Sequence, residues 1–122
     1  MRRTAMLLGL MMLLMLVVAG AALAVTKTCS SVPCMGTDNK DVLHERAGSV
    51  RDRIYGLGGR DLLDANNYSH DRDVLRGGKE RDKLLANDGD GRDVLRGGRG
   101  HDRCYADPGD VTLQCEVVVR SS

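Results

Sequence analysis

Apolar residues in this chain recur at a fixed distance from aspartates. In seven places, an aspartate is followed two residues later by a residue that is usually apolar. The steps from one such aspartate to the next are 11, 9, 12, 9, 11 and 9 residues. This alternation predicts a coil with two sides, which has tight turns at one edge and looser turns at the other. The seven pairs are Asp41/Leu43, Asp52/Ile54, Asp61/Leu63, Asp73/Leu75, Asp82/Leu84, Asp93/Leu95 and Asp102/Cys104.

A longer repeat contains these pairs. Residues 52–66 are similar to residues 73–87 and to residues 93–107, at offsets of 21 and 20 residues. Self-similarity at a period of about 20 residues is typical of a solenoid, in which each coil packs only on its neighbours. The sequence therefore predicts stacked coils around a narrow apolar interior. The side chains predicted to fill this interior are Leu43, Ile54, Leu63, Leu75, Leu84 and Leu95.

Glycine-rich turns precede several of the aspartates. The segments GLGGRDLLD, from Gly56, and GGRGHDRCY, from Gly97, resemble the nonapeptide GGxGxDxUx, where U is a large apolar residue. This is the calcium-binding repeat of the repeats-in-toxin (RTX) family, also called hemolysin-type repeats. The resemblance covers residues 36–107. It implies an all-β fold, a parallel β-roll or β-solenoid whose turns bind Ca²⁺ and whose strands follow each aspartate.

Stacked coils would bring the aspartates of successive turns close together, because neighbouring coils lie about 4.8 Å apart. Ca²⁺ takes six to eight oxygen ligands at about 2.3–2.6 Å, so that one ion can contact two turns. Glycines permit turns with positive φ that point main-chain carbonyl groups inward. The resemblance and this chemistry together predict Ca²⁺ ligands at Asp41, Asp52, Gly56, Gly58, Gly59, Asp61, Asp73, Gly77, Gly78, Asp82, Asp88, Gly89, Asp90, Gly91, Asp93, Gly97, Gly98, Gly100 and Asp102.

Basic residues offer a second way to neutralise the aspartates. Each motif aspartate directly follows a cation or a histidine, which predicts ladders of ion pairs in a metal-independent scaffold for surface or matrix contacts. Departures from the family pattern favour this alternative: Glu80 and Val50 stand at glycine positions, and Tyr68–Asp73 contains no glycine. The preceding residues are Lys40, Arg51, Arg60, Arg72, Arg81, Arg92 and His101.

The first 24 residues have the pattern of a secretory signal peptide. Arg2 and Arg3 precede an apolar stretch at 6–18, and Ala22-Leu23-Ala24 fits a cleavage site before Val25. We therefore expect a secreted, extracellular protein. The alternative is an uncleaved membrane anchor, since the apolar run at 5–25 is long enough to span a bilayer.

The remaining chain, 25–122, carries nearly balanced charge. Without Arg2 and Arg3 it has 16 Lys and Arg against 17 Asp and Glu, a net charge of about −1. This balance argues against a nucleic-acid or membrane-surface role driven by net charge. The chain has no Trp or Phe and three Tyr, so that a core built on aromatic anchors is excluded and stacked Leu and Ile must replace it.

Four cysteines lie at the two ends of the repeat region. Export makes disulfides plausible, and we predict Cys29–Cys34 and Cys104–Cys115, because each pair is local and lies where a solenoid needs a cap. A zinc site is the competing interpretation, although the gaps do not match paired C-x-x-C knuckles. The predicted caps are an irregular N-terminal arm at 25–35 and a C-terminal segment at 108–122. In the latter, a turn at 107–110 precedes one strand at 111–119.

Nothing in the sequence indicates an enzyme. Ser69, His70 and Asp71 are adjacent in sequence, whereas catalytic triads are assembled in space. The chain has no H-E-x-x-H, G-x-S-x-G or phosphate-loop motif. Two functions therefore remain: an exported Ca²⁺-binding β-roll, and the metal-independent scaffold.

Overall fold

The computed structural model describes residues 23–48 and 50–121, which form an all-β parallel solenoid of about four turns, as the sequence predicts. The odd-numbered strands form one sheet, in the order β1-β3-β5-β7-β9-β11, and the even-numbered strands form a second, in the order β10-β8-β6-β4-β2. Strands consecutive in sequence therefore lie in different sheets. The strands are β1 Thr26–Thr28, β2 Cys34–Met35, β3 Val42–His44, β4 Arg53–Leu57, β5 Leu62–Asp64, β6 Val74–Gly78, β7 Lys83–Ala86, β8 Val94–Gly98, β9 Arg103–Ala106, β10 Val111–Leu113 and β11 Val117–Arg120.

The predicted signal peptide lies, except for its last two residues, outside the described residues. No helix within the described part of the chain is long and apolar enough to cross a membrane.

Apolar ladders run through the interior, one side chain per coil. Leu43, Leu63 and Leu84 are in register in the odd sheet, and Ile54 and Leu75 are in register in the even sheet. Every added coil buries one more pair of these side chains, which is the main apolar contribution available to a protein of this shape. The predicted interior residues Leu43, Ile54, Leu63, Leu75, Leu84 and Leu95 are all 0% exposed, and the prediction is confirmed.

A second position in each coil is also buried in the interior, and in one coil its residue type differs from that in the others. Ala65, Ala86 and Ala106 follow or end the odd strands and are fully buried. In the first of these coils the corresponding residue is Glu45, whose main-chain N–H bonds to Asp64 O as that of Ala65 bonds to Leu85 O. Glu45 is 1% exposed. The chain therefore buries a carboxyl group where the other coils have a methyl group.

The tight turns require left-handed backbone at two positions. Four residues before the turn's aspartate, φ is positive at Leu57, Gly78 and Gly98, and two residues before it φ is positive again. In this second position Glu80 has a φ of 71°, which a residue with a Cβ rarely adopts. The departure of Glu80 from the glycine pattern therefore changes the residue but not the conformation of the turn.

Both ends of the solenoid are more regular than the sequence predicts. The arm at 25–35 contains β1, which pairs with β3, and β2, which pairs with β4. The predicted single strand at 111–119 is wrong, because the chain crosses from β10 in one sheet to β11 in the other. The physical reason is the same at both ends: the open edge of each sheet offers main-chain groups that only a further parallel strand can pair.

Two disulfides are present, and both predicted pairings are confirmed. Cys29 is bonded to Cys34, and Cys104 is bonded to Cys115. Cys104 lies on β9, in the apolar ladder, so that its bond to Cys115 ties the crossing between β10 and β11 to the interior. No cysteine remains for a zinc site.

Replacing Glu80 by glycine should stabilise the protein. The left-handed conformation costs a residue with a Cβ on the order of 1–2 kcal/mol, and glycine avoids that cost. Because glycine also makes the unfolded chain more flexible, we expect a net gain of about 1 kcal/mol in the free energy of unfolding. Urea denaturation in excess Ca²⁺, followed by circular dichroism, measures it.

The matched control is Lys79→Gly, at the exposed neighbouring position. Lys79 is not among the residues with positive φ, so glycine there should lower stability by roughly 0.5–1 kcal/mol. Equal losses in the two variants would contradict the proposed strain at Glu80.

Candidate metal centre

The motif aspartates form two buried columns, one along each edge of the solenoid. At the tight edge, Asp61 Oδ1 accepts the main-chain N–H of Asp41 at 2.8 Å, and Asp82 Oδ1 accepts that of Asp61 at 2.8 Å. At the loose edge, Asp73 Oδ1 accepts the N–H of Asp52 at 2.7 Å, and the column continues with Asp93 in the next coil. Each carboxylate thus binds the coil before it, which no sequence pattern had indicated.

The second oxygen of these side chains is buried without a hydrogen-bond partner. This holds for Oδ2 of Asp61, Asp73, Asp82, Asp93 and Asp102. Burial raises the pKa of Asp73 and of Asp93 to about 8, and neighbouring carboxylates add to the effect. Burial also raises the pKa of Asp82 to about 7 and that of Asp61 to about 6. At neutral pH and without a cation nearby, the protein therefore favours the protonated forms of Asp73 and Asp93.

At the tight edge, the first glycine of each turn provides room for the aspartate. A Cβ at Gly77 would collide with Asp82 Oδ2 and with the carbonyl oxygen of Gly97, and Gly56 is in the same position relative to Asp61 and Gly77. The other predicted glycines of this edge, Gly58, Gly59, Gly78, Gly98 and Gly100, lie in the same three turns or at their start. Among the described residues, no group of three acidic side chains converges at this edge.

At the loose edge, acidic side chains do converge. Four overlapping groups of three each bring one carboxylate oxygen per residue to within 4.8 Å of the others. Asp73 and Asp93 each belong to two groups, so that the groups are continuous along the edge. We call this set the acidic seam; it consists of Glu45, Asp52, Asp71, Asp73, Asp88, Asp90, Asp93 and Asp110.

The centre of the acidic seam is the group formed by Asp71, Asp73 and Asp93. All three residues are buried, and their exposed fractions are 6%, 0% and 0%. Both oxygens of Asp71, together with Oδ2 of Asp73 and of Asp93, have no hydrogen-bond partner. Burial raises the pKa of Asp71 as well. Hard oxygen ligands that carry negative charge and lack hydrogen-bond donors are the ligand set that Ca²⁺ prefers.

The outer groups of the acidic seam are partly neutralised by the chain itself. Arg46 Nε donates to Asp52 Oδ1 at 2.6 Å, and the Arg46 main-chain N–H donates to Oδ2 at 3.0 Å. Asp110 accepts the N–H groups of Asp93 and Asp107. Cation binding is therefore best supported at the centre of the seam.

The predicted ladders of Arg–Asp pairs are not formed. Over the described ranges the structure has two ion pairs, Arg46–Asp52 and His44–Asp64. None of the seven residues that precede a motif aspartate takes part in either. These basic side chains lie in solvent, because all seven are exposed, while the aspartates point inward.

A protein-family model matches residues 46–67, 71–90 and 86–113, more than half of the chain, and it describes the RTX calcium-binding nonapeptide repeat. The chain belongs to this family. No curated protein and no solved structure matches the chain.

The RTX match contains the whole centre of the acidic seam. Gly89 and Gly91, predicted as ligands beside Asp88 and Asp90, lie in the loose-edge turn that the RTX model matches. The Gly89 N–H donates to Asp107 Oδ2 at 2.7 Å, and Asp88 Oδ2 is buried without a partner. Of the predicted RTX aspartates, Asp52, Asp73, Asp88, Asp90 and Asp93 belong to the seam, while Asp41, Asp61, Asp82 and Asp102 belong to the tight-edge column.

Three residues of the acidic seam were missed by reading the RTX motif alone. Asp71 lies in the one loose-edge turn without glycine, where the pattern disfavoured calcium. The sequence feature that could have revealed Asp71 is its spacing: it stands two residues before the motif aspartate Asp73 and so adds a second carboxylate to the turn. Glu45 could have been found as the acidic residue at the alanine position. Asp110 lies in the segment that the sequence predicts only as a turn.

Stability without calcium should fall as pH rises. The pKa of Asp73 and Asp93 is 3.8 in an unfolded chain and about 8 in the folded protein, so the folded state binds more protons between these values. The free energy of unfolding should therefore decrease from about pH 4 to about pH 8 in chelator. Thermal unfolding at several pH values measures it, and the buffer with saturating Ca²⁺ is the control. An increase of stability over the same range in chelator would contradict the buried, partnerless state of these oxygens.

Proposed function

We propose that this protein is an exported calcium-binding β-roll whose folding is stabilised by Ca²⁺ held along the acidic seam. The observation that carries the proposal is the group Asp71, Asp73 and Asp93, in which four buried carboxylate oxygens have no hydrogen-bond partner. Burying such charges costs several kcal/mol per ion unless a partner compensates them. A divalent cation is the compensation that the family provides.

The ion would act as a clamp between successive coils. Asp71 and Asp73 belong to one loose-edge turn and Asp93 to the next, so that one Ca²⁺ bound to all three would join them. Binding to the folded state alone adds about 2.7 kcal/mol per site when the free ion is 100 times its Kd. The tight-edge turns Gly56–Asp61, Gly77–Asp82 and Gly97–Asp102 are secondary sites in this proposal, with one buried carboxylate oxygen each and carbonyl groups as further ligands. The proposal includes no catalytic activity.

The metal-independent scaffold is less well supported. It required basic side chains to neutralise the aspartate columns, and the described residues contain one Arg–Asp ion pair in total. In five column aspartates the hydrogen bonds between coils satisfy one oxygen and leave the other without a partner; these are Asp61, Asp73, Asp82, Asp93 and Asp102.

Replacing Asp71 by asparagine tests the site. Its oxygens accept no hydrogen bond, so the change removes charge without breaking the column. We expect Ca²⁺ affinity to fall about tenfold, because affinity follows the number of charged ligands. Stability in chelator should not fall, because less charge is buried. Calorimetric Ca²⁺ titration and circular dichroism measure both quantities.

The matched control is Asp64→Asn. Asp64 is half-buried, pairs with His44 on the odd sheet and lies outside the seam, so Ca²⁺ affinity should stay within about twofold. Asp82→Asn reports on the tight edge and should weaken binding less than Asp71→Asn.

If Asp71→Asn binds Ca²⁺ as well as the unmodified protein, the seam is not the site. If the unmodified protein shows no heat of binding and folds equally in chelator, the calcium function fails.

Export is supported by the disulfides, which are typical of oxidising compartments, and by the contact at the proposed cleavage point. The main-chain N–H of Val25 donates to Asp41 Oδ1 at 2.8 Å, and Asp41 is fully buried at the end of the tight-edge column. Cleavage before Val25 would turn this amide into an ammonium group. The hydrogen bond from a neutral amide to the Asp41 carboxylate would become an ion pair, in which donor and acceptor are both charged.

Mass spectrometry of the protein recovered from the medium should therefore find Val25 as the first residue. Acetylation of that amino group should lower the free energy of unfolding by about 1 kcal/mol, and the same treatment of Asp41→Asn should have a smaller effect. Recovery of the chain only in the membrane fraction with residues 1–24 attached would contradict export.

A further inference from the structure

The acidic and basic residues of this protein are separated by depth. Eleven of the 17 acidic residues are buried. The 16 lysines and arginines of the described residues are all exposed, except for the half-buried Arg46. The net charge of the chain therefore conceals a surface that is mainly positive.

One group of these basic side chains lies along the tight edge. A groove of about 430 Å³ runs there along the outer side of the odd sheet. Two adjacent rows of basic side chains line it, one formed by residues that precede the motif aspartates and one by residues that follow them. We call this the basic groove, and its basic residues are Lys40, Arg60, Arg81, Lys83, His101 and Arg103.

None of these side chains forms an ion pair within the described part of the chain. The aspartates beside them, Asp61 and Asp82, are buried and hold the main chain of the previous coil. Lys83 stacks on the ring of Tyr105 at 5.1 Å, which holds one cation in the outward row. Because one basic residue follows another at each coil, the charges recur at about 4.8 Å along the groove.

A repeated row of cations is suited to a linear ligand with repeated negative charges. Nucleic acid fits less well. Single strands are usually held by aromatic side chains that stack on the bases, and the chain has neither Trp nor Phe, while no Tyr lines the groove. In double-stranded DNA the phosphates of one strand recur at about 3.4 Å along the axis, which differs from the coil spacing. A polysaccharide with a sulfate or carboxylate on its sugars requires only charge and hydrogen-bond donors.

We infer that the basic groove binds a linear anionic polysaccharide, and that binding is stronger when Ca²⁺ occupies the acidic seam. The dependence of this binding on Ca²⁺ rests on the proposed calcium function. Arg60 and Arg81 provide the central contacts, because their guanidinium groups can bind a sulfate or carboxylate in a bidentate manner. Ca²⁺ would keep the coils stacked, so that the basic side chains remain in a row.

The test uses the protein in its naturally processed form, purified from the cells that produce it and kept in saturating Ca²⁺. The probes are end-labelled heparin and polygalacturonate oligosaccharides of matched length, with neutral dextran as the uncharged control, and fluorescence anisotropy measures affinity. We expect binding to at least one charged probe and none to dextran. The double variant Arg60→Gln/Arg81→Gln should bind about tenfold more weakly, with a lower dependence of affinity on salt concentration.

The matched control is Arg72→Gln/Arg92→Gln. These arginines also precede motif aspartates, but they lie at the loose edge. This variant loses the same charge and should keep affinity within about twofold. Arg60→Lys/Arg81→Lys should retain most of the binding, since lysine keeps the charge. Circular dichroism in Ca²⁺ confirms that each variant is folded, which we expect because the exchanged side chains are exposed.

Each outcome supports or contradicts the inference. Equal losses in the tight-edge and loose-edge variants would show attraction by overall charge and would contradict the groove. Equal or tighter binding of a 12-base-pair DNA duplex would make nucleic acid the ligand instead. Heat of Ca²⁺ binding without affinity for either oligosaccharide contradicts this inference and leaves the calcium function intact. Equal affinity for heparin in Ca²⁺ and in chelator contradicts the coupling.

Discussion

Five column aspartates each accept a main-chain N–H from the coil before with one oxygen and leave the other oxygen buried without a hydrogen-bond partner; they are Asp61, Asp73, Asp82, Asp93 and Asp102. The first oxygen holds the coils together at both edges, beyond the ladders of the sheets. Burial of the second oxygen is energetically unfavourable, because a charge in the interior needs a partner. Coil stacking and the need for a cation therefore have the same origin in this fold. A chain with asparagine in the columns could keep the hydrogen bonds but would lose the reason to bind a metal.

The two edges of the solenoid differ in how many carboxylates they bring together. At the tight edge, glycine allows the aspartate to fold back over its own turn, and one carboxylate stands in each coil. The longer turns of the loose edge have room for additional acids, which collect around the column at Asp71, Asp88 and Asp90. The length of the connection, two or three residues more per coil, thus decides where several ligands can meet. The motif glycines are most regular at the edge that gathers fewer acids.

The repeating part of the structure could be predicted from sequence because it depends on neighbours in the pattern. The spacing between Asp61 and Leu63 and the corresponding residues of the next repeats is enough to place the aspartate at an edge and the leucine in the interior. Asp71 could not be found in this way, since its importance depends on Asp93 in the next coil. The expected Arg–Asp ladders are absent for a related reason: in the turn before β7, Asp82 is buried while Arg81, its neighbour in sequence, is exposed. The crossing at 114–116 was missed because the open sheet edges, rather than local propensity, determine it.

The columns also have a direction, and this restricts how the gene for such a protein can change. Each coil offers a carboxylate to the coil before it and receives one from the coil after it, and Glu116 Oε2 ends the tight-edge column by accepting the N–H of Asp102. Removal of residues 73–92 would bring Arg72 next to Asp93 and leave every N–H opposite a carboxylate. Removal of half that length would place a tight turn against a loose one and break both columns. We therefore expect this fold to tolerate insertions and deletions of whole coils, which would change its length in steps rather than continuously.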